Sequence, residues 1–268
     1  MLINIFRPIL KAIAIKVLPD SLQVTLWRLF RREVPVSYGY KVINNNTSSE
    51  LLRGWQDPIV AKKQYEAFIP ILQQMREGKP REDFIAVAKA VKMTELEAPF
   101  IIEVGCGSGW NSEVLASLLR HPVRYLGLDY SSAMAALGKK CYPNIPFVVG
   151  DATALPFQDG VCDILLSGTV LMHLAGYQKA ICESRRLAKK WCIFHTVPVM
   201  QRRATTKLSK YAYGKPVVEV IFNETELLDL MRQNGLTVRY SFDSVPYDLS
   251  FVLHEPTLNK TYLCEITD

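Results

Sequence analysis

The chain has 268 residues, of which 49% are hydrophobic and 22% charged, and a formal net charge of +6. That length holds one large domain or one domain with an appendage, and the apolar share supplies a full core and excludes long disorder. The charge is uneven: residues 1–90 carry 14 Lys or Arg against 8 Asp or Glu, whereas residues 91–268 carry 18 of each. Basic surface attracts phosphates, anionic lipid or acidic substrates, although a solvated positive face is the ordinary reading.

The chain opens with MLINIFRPILKAIAIKVLP, an apolar stretch broken by Arg7, Pro8, Lys11, Lys16 and Pro19. It is too short to span a bilayer and lacks the leader and cleavage site of a signal peptide. Asn4, Arg7 and Lys11 share a helical face. Such an amphipathic basic helix suits packing against the main domain or a partner, and also peripheral membrane contact. The expected location is the cytoplasm. Asp20 or Ser21 can cap a second helix with Leu22, Leu26, Leu29 and Phe30 on one face. Residues 33–50 read as loop, from Pro35, Gly39 and the polar run 44–49. Asp57–Pro58 starts a helix that runs towards Gly78 with a bend at Pro70. Residues 81–92 form another, with Phe84, Ile85, Ala88 and Val91 inward. Residues 1–95 thus read as a helical extension without a strand, a lid over a main domain at 96–268. Tyr38, Tyr40, Trp55 and Gln64 are candidates to face a pocket beneath it.

From Pro99 the texture changes. FIIEVG, RYLGLD, PFVVGD, CDILLSG and WCIFHT are short apolar strand runs. Helical stretches lie between them, after Trp110 and at 132–140 and 177–188. Asn223 or Thr225 caps a further helix ending at Gly235, and TVRYSFD and TYLCEI follow as a closing pair of strands. This alternation predicts an α/β domain, a seven-stranded, mostly parallel sheet with helices on both faces. The six cysteines (106, 141, 162, 182, 192 and 264) form no CxxC pair and no zinc spacing with histidine, so they read as buried free thiols in a reducing compartment. No metal site is expected.

The sharpest motif is Glu103-Val-Gly105-Cys-Gly107-Ser-Gly109, between a buried strand and a helix. Glycines there allow a tight turn and a close ligand. The dinucleotide pattern G-x-G-x-x-G would need glycine at position 110, which is Trp110. The glycines instead recur at every second residue, with an acid two residues earlier. Asp129 ends the second strand in LGLDYSS, Gly150-Asp151-Ala152 ends the third, and LPFQDGVCDILLSGTVLMHL contains the fourth.

With these motifs, residues 98–268 resemble the class I S-adenosylmethionine-dependent methyltransferases. The resemblance implies a Rossmann-like fold, S-adenosyl-L-methionine as cofactor, and methyl transfer to an oxygen or nitrogen of a small-molecule acceptor. It implies that Asp129 binds the ribose hydroxyls, that Asp151 accepts from the adenine amine, and that the glycine turn faces the methionine tail. The expected cofactor-binding residues are Glu103, Gly105, Cys106, Gly107, Gly109, Asp129, Tyr130, Asp151, Ala152 and Ser167. The residue chemistry agrees: one carboxylate can accept from both hydroxyls of a diol. Amides at a helix N-terminus suit a carboxylate.

Groups that act on the acceptor belong at the C-terminal ends of the strands. His173 follows the fourth strand and His195 ends the fifth, so both are candidate bases or pocket-closing polar groups. His121 and His254 receive no role. Residues 197–222 read as a substrate-binding insertion, with Arg203, Tyr211 and Tyr213 as candidate contacts. No nucleic-acid module is present. A non-catalytic cofactor-binding accessory protein, and an RNA or protein methyltransferase, are the alternative readings.

Overall fold

The computed structural model describes residues 37–43, 49–119 and 121–267. The two helices expected over residues 1–32 lie outside the described residues. Strand β1 (Ser37–Val42) comes first, in a region read from sequence as loop. A short helix, α1 (Ser49–Arg53), and a 3-10 turn lead to α2 (Pro58–Arg76). Asp57 caps α2 by accepting from the Ile59 amide at 2.8 Å, and Pro58 takes the first helical position, where no amide partner is needed. The helix continues through Pro70. In α3 (Glu82–Lys92), Phe84, Val87, Ala88 and Val91 are buried while Ile85 is 48% exposed, against expectation. Positions 84, 87, 88 and 91 already complete one face at helical spacing, and residue 85 turns about 100° away from 84.

The parallel core alternates as expected. Strands β2 (Phe100–Val104), β3 (Arg124–Asp129), β4 (Phe147–Val149), β5 (Cys162–Gly168) and β6 (Ala188–Met200) pair side by side in the order β4-β3-β2-β5-β6, all parallel. Helices α4 (Trp110–Leu118), α5 (Ser132–Cys141) and α6 (Tyr177–Leu187) connect them. After α7 (Glu224–Gln233) come β9 (Leu236–Asp243), the short α8 (Ser250–Leu253) and β10 (Leu258–Ile266). Strand β10 runs antiparallel between β6 and β9 and completes seven strands.

The pleat sends Ile101 and Ile102 to opposite faces. One cluster joins Ile102, Leu165 and Phe194 with Ile181 of α6 and Leu227 of α7. The other joins Ile101, Ile164 and Ile193 with Leu72 of α2, Phe84 of α3 and Leu115 of α4. Apolar side chains of the two clusters leave water on both faces, the main favourable term in folding.

Among the described residues the sheet has ten strands rather than seven. The additional ones are β1, β7 (Thr206–Ala212) and β8 (Lys215–Asn223). They pair antiparallel with one another, and β8 joins the main sheet at Val199↔Phe222 and Met200↔Asn223. The alternation in β7 was present in the sequence: Leu208, Lys210 and Ala212 are buried and the residues between them are less so. A lysine at an inward position made the stretch resemble a basic loop. No described helix is long and apolar enough to cross a membrane.

Asn223 holds the join. Its Oδ1 accepts from the Glu226 amide at 3.1 Å and caps α7, and its Nδ2 donates to the Gln201 and Arg203 carbonyls at 3.2 and 2.8 Å. Asn223→Ala is expected to cost about 1–2 kcal/mol, seen as a lower urea midpoint with unchanged m-value.

Candidate functional site

Three backbone conformations create the glycine turn. Gly105, Gly107 and Gly109 have φ of 70°, 56° and 83°, all left-handed. This explains the every-second-residue spacing, because a side chain at any of the three is strained. Space forbids one as well. A Cβ on Gly105 would lie 2.2 Å from Val170, and one on Gly107 would lie 2.9 Å from Trp110 and 3.2 Å from Gln64 Oε1. The end of β3 anchors the turn. The Leu128 carbonyl accepts from the Gly105 and Cys106 amides at 2.8 and 3.1 Å. Asp129 Oδ2 accepts from the Gly107 amide and Oδ1 from the Ser131 amide, each at 2.9 Å. Burial raises the Asp129 carboxyl above the usual range, against these two amide bonds.

The turn opens into a cavity of about 670 Å³ at the C-terminal edge of the sheet. Gly105, Gly107, Asp129, Tyr130, Asp151 and Ala152 line one part of it. Asp151 is oriented by Thr153, whose amide and hydroxyl both donate to Oδ1 at 2.8 Å. The Tyr130 hydroxyl donates to the Leu52 carbonyl, which pins the segment after β1 over this part. His173, His195, Lys210, Tyr213, Tyr247 and Asn259 line the other part. Trp55 and Gln64 also face the cavity, as expected. Trp55 Nε1, Gln64 Oε1 and Asn259 Oδ1 are buried with no hydrogen-bond partner among the described residues. Buried polar atoms are rarely left so. Three non-glycine residues on the wall, Thr169, Thr196 and Tyr213, hold left-handed φ of 57°, 54° and 52°. Such strain concentrates at functional sites.

The two histidines differ. His173 Nδ1 lies 2.9 Å from the Val218 carbonyl, which can only accept, so Nδ1 carries the proton. Burial, with help from the Lys210 charge, lowers the His173 pKa to about 4, so the ring is neutral and Nε2 is a bare acceptor. Its ring packs against Trp55 with centroids 4.7 Å apart. His195 instead engages both nitrogens, Nδ1 with Thr261 Oγ1 at 2.9 Å and Nε2 with Thr196 Oγ1 at 3.2 Å. Burial lowers its pKa to about 4 as well.

Other expected residues lie off the cavity. Glu103 is 1% exposed, behind Gly168, and accepts from Asn111 Nδ2 at 2.6 Å and from the Tyr125 hydroxyl. Burial raises its pKa to about 7, against those two donors. It braces the turn from beneath. Cys106, Gly109 and Ser167 are buried beside the turn or strand and do not line the cavity. Tyr211 points to the far face of β7, where it stacks on Tyr38 at 5.2 Å. Arg203 donates to the Leu253 carbonyl and its amide to Glu255. Of the three acceptor-side candidates, only Tyr213 lines the cavity. Cys182 is exposed and Cys141 half-buried, against the buried expectation, while Cys106, Cys162, Cys192 and Cys264 are buried free thiols. Among the described residues, no group of three or more His, Cys, Asp or Glu is placed to hold a metal.

Several lining residues escaped the sequence reading. Arg81 and Asp83 looked like an ordinary helix start. They form a bidentate pair at 2.7 and 2.5 Å, and the Arg81 guanidinium lies 5.3 Å from the Phe68 ring centroid. Phe68 in turn stacks on Trp110 at 4.0 Å. Lys210 reads in the sequence as one of several basic residues around Tyr211 and Tyr213 suited to an acidic substrate, and its inward strand position was missed. Its alternation with Leu208 and Ala212 was the available signal. Tyr247 and Asn259 had none.

Residues 102–194 match the methyltransferase domain family. The chain is 31% identical over 140 residues to a demethylmenaquinone methyltransferase of Chlorobaculum tepidum, covering 51% of this chain and 57% of the relative. It is 37% identical over 81 residues to a phthiotriol/phenolphthiotriol dimycocerosates methyltransferase of Mycobacterium tuberculosis, covering 30% of each. The first of these alignments spans little more than half the length of the relative. A magnesium protoporphyrin IX methyltransferase from Synechocystis, solved with bound S-adenosylmethionine, shares the fold at a TM-score of 0.56 and 16% identity, covering 83% of this chain and all of that one.

The histidines have a consequence for acid stability. A pKa lowered by folding means the unfolded chain takes up the proton first as pH falls. Each neutral imidazole thus contributes stability above about pH 6.5 that is lost towards pH 4. Glu103 works oppositely between its unfolded value and about 7. Comparing His195→Gln with the unsubstituted protein cancels that effect. The variant is expected to lose less stability between about pH 7 and about pH 5, measured by urea titration at each pH.

Proposed function

We propose that this chain, which carries a methyltransferase domain of the class I S-adenosylmethionine-dependent superfamily, transfers a methyl group to an oxygen or nitrogen of a small molecule. One observation carries the proposal: a single cavity joins the glycine turn, Asp129 and Asp151 to the bare Nε2 of His173. Its volume of about 670 Å³ lies in the range of small-molecule sites, roughly 300–1,000 Å³. The relatives named for small acceptors support the same class.

The residues fit the cofactor. Each Asp129 oxygen keeps a lone pair beyond its amide bond, enough to accept from both ribose hydroxyls. Asp151 would accept from the adenine amine, with Ala152 beneath the ring. The unpartnered Gln64 Oε1 beside Gly107 suits the amino-acid ammonium. The turn amides and Arg81 suit the carboxylate. When bound, the cofactor supplies an electrophilic methyl carbon on a sulfonium.

The protein's part is alignment and removal of water. His173 Nε2 would accept the hydrogen bond of the acceptor's O–H or N–H and so aim its lone pair. A conjugate acid near 4 makes His173 a weak base. It therefore suits an acceptor whose proton is already acidic. His195, with both nitrogens occupied by threonines, would shape the wall.

Isothermal titration should show micromolar binding of S-adenosylmethionine and of S-adenosylhomocysteine. No heat with either sinks the proposal. Asp129→Asn should weaken S-adenosylhomocysteine roughly 10–100-fold through lost charge-assisted hydrogen bonds. His173→Ala should leave that binding unchanged and lower kcat by about 10²–10⁴ on an accepted substrate.

A further inference from the structure

An ion pair lies buried in the added sheet. Lys210 on β7 and Glu219 on β8 share the inward face of the hairpin, their charged atoms 2.6 Å apart, with side chains 6% and 0% exposed. Their neighbours on the two strands, Leu208, Ala212, Val217 and Ile221, are apolar. Stability alone does not explain the pair, because well-packed apolar residues usually serve a hairpin at least as well as a buried ion pair.

The pair belongs to a cluster on the cavity wall. Tyr247 donates its hydroxyl proton to Glu219 Oε1. The Tyr247 hydroxyl oxygen lies 3.4 Å from Lys210 Nζ, which donates to it, and 3.2 Å from the Tyr40 hydroxyl. Burial works against the Lys210 charge, but Glu219 and Tyr40 outweigh it and keep the ammonium. With its proton committed to Glu219, Tyr247 accepts from Lys210 and Tyr40 and so positions the Lys210 ammonium at the cavity wall. Lys210 and Tyr247 both line the cavity.

Resting on the function proposed above, we propose that the Lys210–Glu219–Tyr247 cluster recognises an acidic hydroxyl on a flat aromatic acceptor, a phenol or hydroxy-heteroaromatic. A neutral hydroxyl can donate to His173 Nε2 while its oxygen accepts from the Lys210 ammonium, which stabilises that oxygen as the proton leaves through His173. A carboxylate fits worse: it has no proton to donate and meets the charge of Glu219. The rings of Trp55, His173 and Tyr213 form the adjoining wall, with Trp55 4.7 Å from His173 and 6.2 Å from Tyr213. Such faces suit a planar ring. Asn259, 5% exposed, lines the same cavity, and its Oδ1, without a partner among the described residues, suits a donor such as a second hydroxyl or ring N–H.

The test uses the full chain loaded with S-adenosylhomocysteine, and 2-naphthol, 2-methoxynaphthalene and 2-naphthoate as probes. 2-Naphthol is expected to bind at least about tenfold tighter than the other two, the scale of a hydrogen bond to a charged cluster. Tyr247→Phe, and the double change Lys210→Met with Glu219→Leu, should each remove that preference while S-adenosylhomocysteine binds as before. Absorbance titration should show bound 2-naphthol ionising at lower pH than free 2-naphthol, and the double variant should abolish the difference. Equal binding of 2-methoxynaphthalene, tighter binding of 2-naphthoate, or a preference that survives both variants overturns the inference alone. Failure of the unsubstituted protein to bind S-adenosylhomocysteine overturns the function and this inference with it.

Discussion

The site depends on how the end of β3 grips the turn after β2. The Leu128 carbonyl and the Asp129 carboxylate together take three amides of the turn, those of Gly105, Cys106 and Gly107. Those bonds hold a run of left-handed residues that would otherwise open to the broad conformational freedom of glycine. They also hold Asp129 at the rim of the cavity. The carboxylate that shapes the turn is thus one that also lines the cavity. Glu103 supports the arrangement from inside, tied to Asn111 and Tyr125.

Around this fixed centre, the protein divides its labour between two parts of the sheet. The parallel strands present the turn, Asp129 and Asp151 at their C-terminal ends, as open α/β sheets do. The antiparallel addition of β1, β7 and β8 brings Lys210 and, from the β7–β8 turn, Tyr213 to the other side of the same space. His173 lies at the boundary. It follows β5, yet its tautomer is set by Val218 of β8. The added sheet therefore controls the chemistry of a residue that the main domain supplies.

Much of this was legible in the residues. Apolar runs and glycine turns located all seven strands of the main sheet, and the acid at the end of β3 could be picked from its offset to the glycines. Asp57–Pro58 and Asn223 announced their helices by capping chemistry. The added sheet was not legible, for a physical reason. Lys210 and Glu219 occupy inward positions where strand patterning demands apolar residues, so their charges masked an alternation that was there. The split between the histidines was equally hidden, because it rests on Thr196, Thr261 and Val218, which are near one another only after folding. Glu103 shows the converse: its place in the motif was clear, but nothing in the motif says that both of its oxygens face inward.

Glu103 would couple the cavity to protons in solution. Burial raises its carboxyl to about 7, and the charge of nearby Asp129 adds to the rise. Any cation that settles in the cavity favours the charged form and drives the proton out to the buffer. The heat of binding then includes the buffer's own ionisation enthalpy, so the apparent enthalpy differs between phosphate and Tris at the same pH. A group that never touches the ligand would enter its thermodynamics through a single exchanged proton.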